Sequence, residues 1–502
     1  MKTDCGVVLL LVVLGVVDGM GADATITLSP SQRFQTIEGF GAFSTSADPS
    51  FLANDLGQSM SRFSFPTGYY PSQGNYNPGA LDGQISRMNA LKGAGITRWI
   101  TTIWTPPSWM KDLTRDVPAS CWDGYGACGG HVRADMYGEL ANMIVAYCKA
   151  VKQRTGVDLY AFSIQNELAF VEPYISCVYT PAEYRDALKV VGAAMTREGL
   201  STRLFGAEDM LTSITANPYF GTINQDAEAR GYLDACAVHG YSNGVSPDPA
   251  VTAAPLWSRL GTMARQMGNK GVWMTETSGL PETWDGAMNL AGGMYAALRW
   301  GNLSAWVWWM ECGSGAASGS LEGLLLSNCT HSKRSYTAKQ FYKWIRPDAA
   351  RINASFSGDS TNLCAVAFHH QAGKTLTVVV MNKGASARTV SFAGGDCPAT
   401  LQHFRTSANE NCASLGSVAS GNVTIAASSV NTFYATGYEP SVAVLRQPRA
   451  VPPAPALTPG ANSEFDLRGK RISAGAGGPS SGIAVVPNGS GYLTRIRTAG
   501  GR

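Results

Sequence analysis

Five hydrophobic, β-prone segments recur at a regular spacing and constrain the fold of this chain more than any other feature. They begin at residues 159, 202, 234, 271 and 304, roughly 30 to 45 residues apart, and helix-like stretches separate most of them. This rhythm predicts an α/β fold, a (β/α)8 barrel of about 250 residues. With one earlier segment, the strand-like runs are Arg98–Trp104, Leu159–Gln165, Thr202–Gly206, Asp234–His239, Gly271–Thr275 and Ser304–Trp309.

Two of these runs lead into a glutamate. Glu167 follows the segment that we expect to be strand four, and Glu276 follows the segment that we expect to be strand seven. The carboxyl ends of barrel strands meet at one rim, so both side chains should face one cleft. A lone glutamate after a strand is ordinarily the first solvated residue of a loop. Two at matching positions fit glycoside hydrolysis, which needs a protonated and an ionised carboxyl group across a sugar-binding cleft.

Composition supports a compact enzyme and excludes several other classes. The chain has 502 residues, of which 45% are hydrophobic and 15% are charged, a globular balance. Its 39 basic and 36 acidic residues nearly cancel, which argues against nucleic-acid binding. The 12 Trp and 19 Tyr offer flat faces for sugar rings, although many must belong to the core. No cysteine and histidine spacing is typical of zinc, so we expect neither a metal nor a cofactor.

Both termini read as segments outside the folded domains. Residues 1–22 resemble a signal peptide, because Lys2 precedes the short apolar run Gly6–Val17 and small residues around Gly19–Ala22 offer a cleavage site. Asp4 weakens the positive region, so an uncleaved anchor is the alternative. No other segment is apolar enough for stable membrane insertion. Residues 439–502 are rich in Pro, Ala, Gly and Ser, which predicts a disordered tail. We expect a secreted monomer.

The cysteines agree with secretion. Eleven are present, and removal of Cys5 with the signal leaves ten. Three local pairs are candidate disulfides, Cys121 with Cys128, Cys312 with Cys329 and Cys397 with Cys412, while Cys148, Cys177, Cys236 and Cys364 cannot be paired from sequence. Five asparagines are candidate N-glycan acceptors: Asn302, Asn328, Asn353, Asn422 and Asn488.

After Trp344 the pattern changes to short β-rich runs separated by turn residues. This predicts an attached antiparallel β-sandwich over residues 345–438. Residues 23–38 also alternate like a strand and would join that sandwich, which leaves residues 39–344 for the catalytic barrel. The predicted sandwich strands are Leu363–His369, Thr375–Met381, Thr389–Phe392, Leu401–Phe404 and Val430–Tyr434.

Six motifs, taken in order, resemble glycoside hydrolase family 30, a family of retaining β-glycosidases. They are Gln35–Phe43, Trp104–Lys111, Ile164–Glu167, Trp273–Glu276, Tyr336–Phe341 and Ile345–Pro347. The resemblance runs from about Ala24 to Tyr438 and implies a (β/α)8 barrel with a β-sandwich. It also implies that Glu167 is the acid/base and Glu276 the nucleophile.

Further residues are candidates for substrate binding at the rim. Asn166 could donate a hydrogen bond to the sugar 2-hydroxyl, or it could satisfy a loop backbone. Arg62 lies where the family places an arginine that keeps the nucleophile ionised; the alternative is a surface salt bridge.

His239 and Tyr241 follow the sixth strand, and Tyr241 could donate to Glu276, whereas His239 could equally be a core histidine. Trp109 and Trp309 are either stacking platforms for sugars or core residues.

Two departures from the family affect the expected specificity. Leu168 follows Glu167 where a proline is usual, and Trp308–Gly313 lacks the arginine with which glucuronoxylan-specific members bind a glucuronic acid branch. The loop Thr114–Arg133 is long and could shape the substrate subsites.

The sequence therefore predicts a retaining β-glycosidase acting on xylan, β-1,6-glucan or β-1,6-galactan. A glucosylceramidase-like glycolipid hydrolase and a catalytically silent carbohydrate-binding protein are the alternatives.

Overall fold

The computed structural model describes residues 21–121, 128–211, 218–241, 254–313 and 321–441, and the backbone of two short strands at 464–465 and 471–472. All but the last two residues of the predicted signal peptide lie outside the described residues. So do most of the predicted disordered tail and Asn488.

Eight parallel strands close into a barrel in which each strand pairs with its neighbours in chain order. In that order they are Gly39–Phe43, Met60–Ser64, Arg98–Thr102, Ala161–Ser163, Arg203–Met210, Leu233–His239, Gly271–Glu276 and Ala305–Trp308; we number them barrel strands one to eight. The predicted barrel is confirmed, and the segments expected to be strands four and seven hold those places.

The first two barrel strands escaped prediction from periodicity, and glycine is the reason for the first of them. Strand one is rich in glycine, which lowers its β-propensity. The backbones of strands one and two approach closely at Gly41, where an added Cβ would lie 1.8 Å from the carbonyl oxygen of Met60. Only glycine fits that contact.

Helices cover the outside of the barrel. Among the described residues the α-helices are Asp82–Gly93, Tyr137–Thr155, Pro181–Arg197, Tyr219–Gln225, Ala227–Tyr232, Ala254–Gln266, Trp284–Ala296 and Lys333–Tyr342. Short 3₁₀ or π turns are Phe51–Leu56, Thr67–Tyr69, Pro78–Leu81, Ser108–Met110, Ala134–Met136 and Ala297–Gly301. No helix in the described part of the chain is both long and apolar enough to cross a membrane.

The side domain is a nine-stranded sheet that encloses its own aliphatic core, as expected of a sandwich. Its strands are Ala24–Thr36, Ala350–Gly358, Leu363–His370, Thr375–Asn382, Arg388–Ala393, Thr400–Ser407, Ala413–Ala419, Val423–Ile425 and Ser429–Thr436. Pairing is antiparallel except between Ala24–Thr36 and Arg388–Ala393, which run parallel. The first strand therefore lies inside a sheet built otherwise from the last third of the described chain.

The sandwich packs against the barrel as one continuous core. Val366, Phe368 and Val379, from the outer face of the sheet, belong to the same buried cluster as the barrel helices. The Gln340 side chain donates to Thr406 Oγ1 at 2.8 Å across this boundary. Two further strand pairs are short ribbons, Lys111–Asp112 with His131–Val132 and Met310–Cys312 with Gly323–Leu325.

Two of the three candidate disulfides form, Cys121–Cys128 and Cys312–Cys329. The third prediction was wrong, because Cys397 and Cys412 are both free. Cys397 precedes Thr400–Ser407 while Cys412 lies at the turn into the antiparallel strand Ala413–Ala419. The two cysteines therefore sit at opposite ends of a hairpin about 25 Å long.

Candidate active site

The two predicted glutamates meet at the carboxyl-terminal rim of the barrel. Glu276 ends strand seven, and Glu167 lies four residues beyond the end of strand four. Both are nearly buried, with 6% and 5% of their surface exposed. One oxygen of each carboxyl group, together with a ring nitrogen of His239, falls within a cluster in which all separations are at most 4.8 Å.

Arg62 organises the cluster from strand two. Its Nη1 donates to Glu276 Oε2 at 2.5 Å, and its Nη2 donates to Asn166 Oδ1 at 2.8 Å. The side chain is completely buried, so it is not a surface salt bridge. A planar guanidinium can bind several acceptors at once, so one side chain holds Glu276 and Asn166 together.

Glu208, on strand five, is a buried member of the cluster that the sequence did not indicate. It accepts from Arg62 Nη2 at 3.0 Å and from Thr102 Oγ1 at 2.9 Å. Burial by itself would raise the Glu208 pKa, but Arg62 and His239 outweigh it and lower that pKa to about 2. Glu208 is therefore a permanent anion that fixes the arginine. The acidic pair Glu208-Asp209 was the sequence signal that could have found it. The observed strand Arg203–Met210 includes this pair, whereas the predicted strand ended at Gly206.

His239 ends strand six between three carboxyl groups. Its Nδ1 lies 2.8 Å from Glu167 Oε1 and 3.8 Å from Glu276 Oε1, and its Nε2 lies 3.7 Å from Glu208 Oε1. Burial alone would lower the His239 pKa, but the surrounding carboxylates raise it to about 10. The ring is therefore an imidazolium that donates to Glu167, and not a neutral core histidine.

Tyr241 completes the contacts of Glu276. Its hydroxyl donates to Glu276 Oε1 at 2.6 Å, so both oxygens of that carboxylate have donors. Burial, and to a smaller extent the nearby Glu276, raises the Tyr241 pKa well above its usual value. The hydroxyl therefore stays protonated. Donors on both oxygens hold the carboxylate in one orientation.

The backbone at the rim is strained at two of these residues. Glu167 and Glu208 have φ of 43° and 52°, in the left-handed region that side chains other than glycine rarely adopt. The two are joined, because the Glu167 amide donates to the Glu208 carbonyl at 3.1 Å. Such strain is concentrated at functional sites, where the surroundings enforce it.

Aromatic side chains line one side of the cluster. Trp309 lies 5.7 Å from Trp104 and 5.0 Å from Phe43 between ring centroids, and Trp104 stacks on the Arg62 guanidinium at 4.6 Å. Trp309 is therefore adjacent to the site. Trp109 lies elsewhere, against Tyr70, to whose carbonyl its Nε1 donates at 3.4 Å; its described contacts do not reach the cluster.

The cluster has the residue types of a metal site but the wrong charges. Glu167, His239 and Glu276 bring potential ligand atoms together. However, protonation of His239 removes the lone pair that a metal would need, and the Arg62 cation already occupies Glu276. The donor set does not fit a metal cation.

Comparison with known proteins agrees with this geometry. Residues 348–433 match the family description "Glycosyl hydrolase family 30 beta sandwich domain". Glucuronoxylanase XynC of Bacillus subtilis is 24% identical over 417 residues, covering 78% of this chain and 87% of the relative. Among solved structures, a family 30 endoxylanase from Clostridium papyrosolvens C71 is 23% identical with a TM-score of 0.68, covering 82% of this chain and 100% of that one. An endo-β-1,6-glucanase is 20% identical with a TM-score of 0.64, covering 82% and 93%.

The side domain therefore matches the β-sandwich of glycoside hydrolase family 30, and the barrel with its side domain has the fold of a solved family 30 enzyme.

The chain closes the loop after Glu167 without the proline that is usual in that family. Leu168 is fully buried, and its carbonyl accepts from the Tyr179 amide at 3.0 Å, which joins the two ends of the loop. Burial of an aliphatic side chain anchors the loop in place of a rigid ring. The departure therefore leaves Glu167 on the rim.

Proposed function

We propose that the chain is a secreted glycosidase that cleaves β-linked polysaccharide by double displacement, with Glu276 as nucleophile and Glu167 as acid/base. The observation that carries the proposal is the separation of at most 4.8 Å between oxygens of the two carboxyl groups. Retaining enzymes hold these groups about 5–5.5 Å apart, whereas inverting enzymes need about 6.5–9.5 Å to admit a water.

The surroundings give the two glutamates different roles. Glu276 carries an arginine and a tyrosine donor on its two oxygens, as suits an ionised nucleophile that attacks the anomeric carbon. Glu167 has no arginine among its described partners; its contact is His239. In the first step Glu167 protonates the departing glycosidic oxygen while Glu276 forms the covalent ester. In the second step Glu167 takes a proton from a water molecule whose oxygen attacks the anomeric carbon; the ester bond to Glu276 breaks and the sugar is released.

The stereochemical test is direct. The product of a β-linked substrate should appear first as the β-anomer. Proton NMR spectra recorded before mutarotation would detect this anomer. The α-anomer appearing first would mean inversion and would overturn the mechanism. Glu276→Gln should abolish turnover with the fold intact by circular dichroism, while a fold-neutral variant far from the rim, Glu228→Gln, should retain full activity.

The substrate class rests on the relatives and on the rim. The relatives include xylanases and a β-1,6-glucanase, so xylan, β-1,6-glucan and β-1,6-galactan are the substrates to screen, with product sizing to separate endo from exo action. The chain lacks the arginine expected after strand eight, which argues against dependence on a glucuronic acid branch. Activity confined to glucuronic acid-substituted xylan would contradict this.

One observation favours a glycolipid as the second candidate. Phe170 and Leu321 are each 48% exposed. Phe170 lies three residues after Glu167, and the Leu321 carbonyl accepts from Gly279, beside the nucleophile strand. Exposed apolar groups at a cleft mouth suit an acyl chain. Glucosylceramide in mixed micelles therefore belongs in the screen. Absence of any hydrolysis, including of aryl β-glycosides, would instead support a silent carbohydrate-binding protein.

Secretion is part of the same proposal. Two disulfides form in the described chain, and disulfides persist in oxidising compartments. Expression with residues 1–22 in place should deliver a processed protein to the medium, and its N-terminal sequence should begin near residue 23. Retention in the cell membrane would support the uncleaved anchor.

A further inference from the structure

A fourth carboxyl group, Glu172, lies beside the two proposed catalytic glutamates and has no role in the mechanism above. It belongs to the loop after strand four, in which Ala169 and Phe170 are exposed. Glu172 itself points inward and is only 1% exposed. Its Oε1 accepts from Asn166 Nδ2 at 3.4 Å, and its backbone carbonyl accepts from Ser176 Oγ at 3.2 Å. The loop therefore holds this side chain against Asn166 and Glu167.

The other oxygen of Glu172 is unusual. Oε2 is buried and has no hydrogen-bond partner within the described part of the chain. Leaving a buried polar atom without a partner costs stability, so an atom of this kind in a folded protein requires a physical explanation, such as a functional role.

The titratable groups that face Glu172 are Glu167, Glu276 and Tyr174. Burial is the largest cause, and the neighbouring Glu167 the second, of a Glu172 pKa raised to about 10. The group is therefore a neutral acid near pH 7. The balance of charge agrees. Among the described contacts, the cations Arg62 and His239 are engaged by Glu208, Glu276 and Glu167 and not by Glu172, so an ionised Glu172 would add an uncompensated buried charge.

We propose that Glu172 is a positioning residue that stays protonated and donates a hydrogen bond from its unpartnered oxygen to Glu167 when Glu167 becomes a carboxylate. This rests on the proposed function. When Glu167 gives its proton to the glycosidic oxygen, the bond from that oxygen to the anomeric carbon breaks and the bond to Glu276 forms. Glu172 transfers no proton; it stabilises the new charge on Glu167.

This role makes a specific kinetic prediction. Stabilising the Glu167 carboxylate assists the first step, in which a poor leaving group needs the proton, and gives nothing to the second step, in which Glu167 acts as a base. Loss of the donor should therefore slow substrates with poor leaving groups and spare substrates with good ones. A merely structural residue would affect both alike.

The test compares Glu172→Leu, which removes the donor, with Glu172→Gln, whose neutral amide keeps one. Each is assayed on the phenyl and the 2,4-dinitrophenyl β-glycosides of the sugar that the substrate screen identifies. Glu172→Leu should lower kcat on the phenyl glycoside by about 10- to 100-fold, the range for a hydrogen bond to a charged group. It should leave KM and the dinitrophenyl rate within about threefold. Glu172→Gln should stay within about threefold on both substrates and keep the alkaline limb of the pH profile in place.

Three results would overturn the proposal. Equal losses on both substrates in Glu172→Leu would show a structural role. A loss in Glu172→Gln as large as that in Glu172→Leu, or a shifted alkaline limb, would show that the wild-type group is ionised. The Glu167→Ala variant distinguishes failure of the proposed function from failure of the role proposed for Glu172. If the activity of Glu167→Ala does not depend on the leaving group, both the acid/base assignment and the present proposal are wrong. If it does show that dependence and Glu172→Leu does not, only the present proposal fails. Should the leucine variant not fold, the pH profile of Glu172→Gln decides by itself.

Discussion

Replacing Glu208 with glutamine should change how the stability of the protein depends on pH. Glu208 is completely buried between Arg62 and His239, and its pKa falls from 4.5 to about 2 on folding. Because the folded pKa is the lower one, the ionised group stabilises the native state above the unfolded pKa. That contribution is lost as the pH falls through the folded pKa.

The size of the effect follows from the shift. One pKa unit corresponds to about 1.36 kcal/mol, so Glu208 contributes about 3 kcal/mol at pH 7. With the same two pKa values, this contribution falls to about 1 kcal/mol at pH 3 and is nearly lost at pH 2. Glutamine cannot titrate. The difference in unfolding free energy between the wild type and Glu208→Gln should therefore narrow by about 2 kcal/mol between pH 7 and pH 3.

The assay is equilibrium unfolding in urea, followed by tryptophan fluorescence, at several pH values for both proteins. Other acidic groups, such as Glu183 with its pKa lowered to about 2, titrate in both proteins and cancel in the difference. The control is Glu228→Gln, whose carboxylate is 53% exposed and pairs with Lys189 at 2.9 Å. Its difference from wild type should vary by less than about 0.5 kcal/mol. A difference for Glu208→Gln that stays constant or widens at low pH would refute the ionised, arginine-paired state.

Three other substitutions test separate parts of the structure. Arg62→Lys should lower the unfolding free energy by about 3 kcal/mol, because one ammonium group cannot bind Glu276, Asn166 and Glu208 together. Urea unfolding measures this loss, and a value below about 1 kcal/mol would contradict the prediction. Tyr241→Phe removes the 2.6 Å donor to Glu276 and should reduce kcat by about 10- to 100-fold while the fold stays intact by circular dichroism; wild-type turnover would exclude a role for that hydroxyl. Thr180→Ala removes the capping box of helix Pro181–Arg197 and should cost about 1 kcal/mol without changing kcat; thermal denaturation and steady-state kinetics check both, and a kcat loss would mean that this cap supports the site.

Several features of this protein were determined locally and could be read from the sequence. The barrel strands that carry the site are continuous hydrophobic runs, because parallel strands are buried on both faces, and their spacing reflects the βα repeat. A carboxylate directly after such a run is visible as a change of residue type, which is why Glu167 and Glu276 could be placed on one rim. The two short disulfide loops were predicted correctly for the same reason, since each closes between near neighbours in sequence.

Features that depend on contacts between distant residues could be decided only by the tertiary structure. The protonation states of Glu208 and Glu172 depend on Arg62, His239 and Glu167, whose positions around these groups are set by the folded barrel. Whether Arg62 is buried or solvated, and whether Trp309 lies at the site while Trp109 does not, depends on how the strands and loops meet around the barrel. Cys397 and Cys412 were mispaired because sequence separation does not show which end of a hairpin each residue occupies. Burial and charge pairing arise only when the barrel closes and brings distant residues together, so they cannot be inferred from the order of residues along the chain.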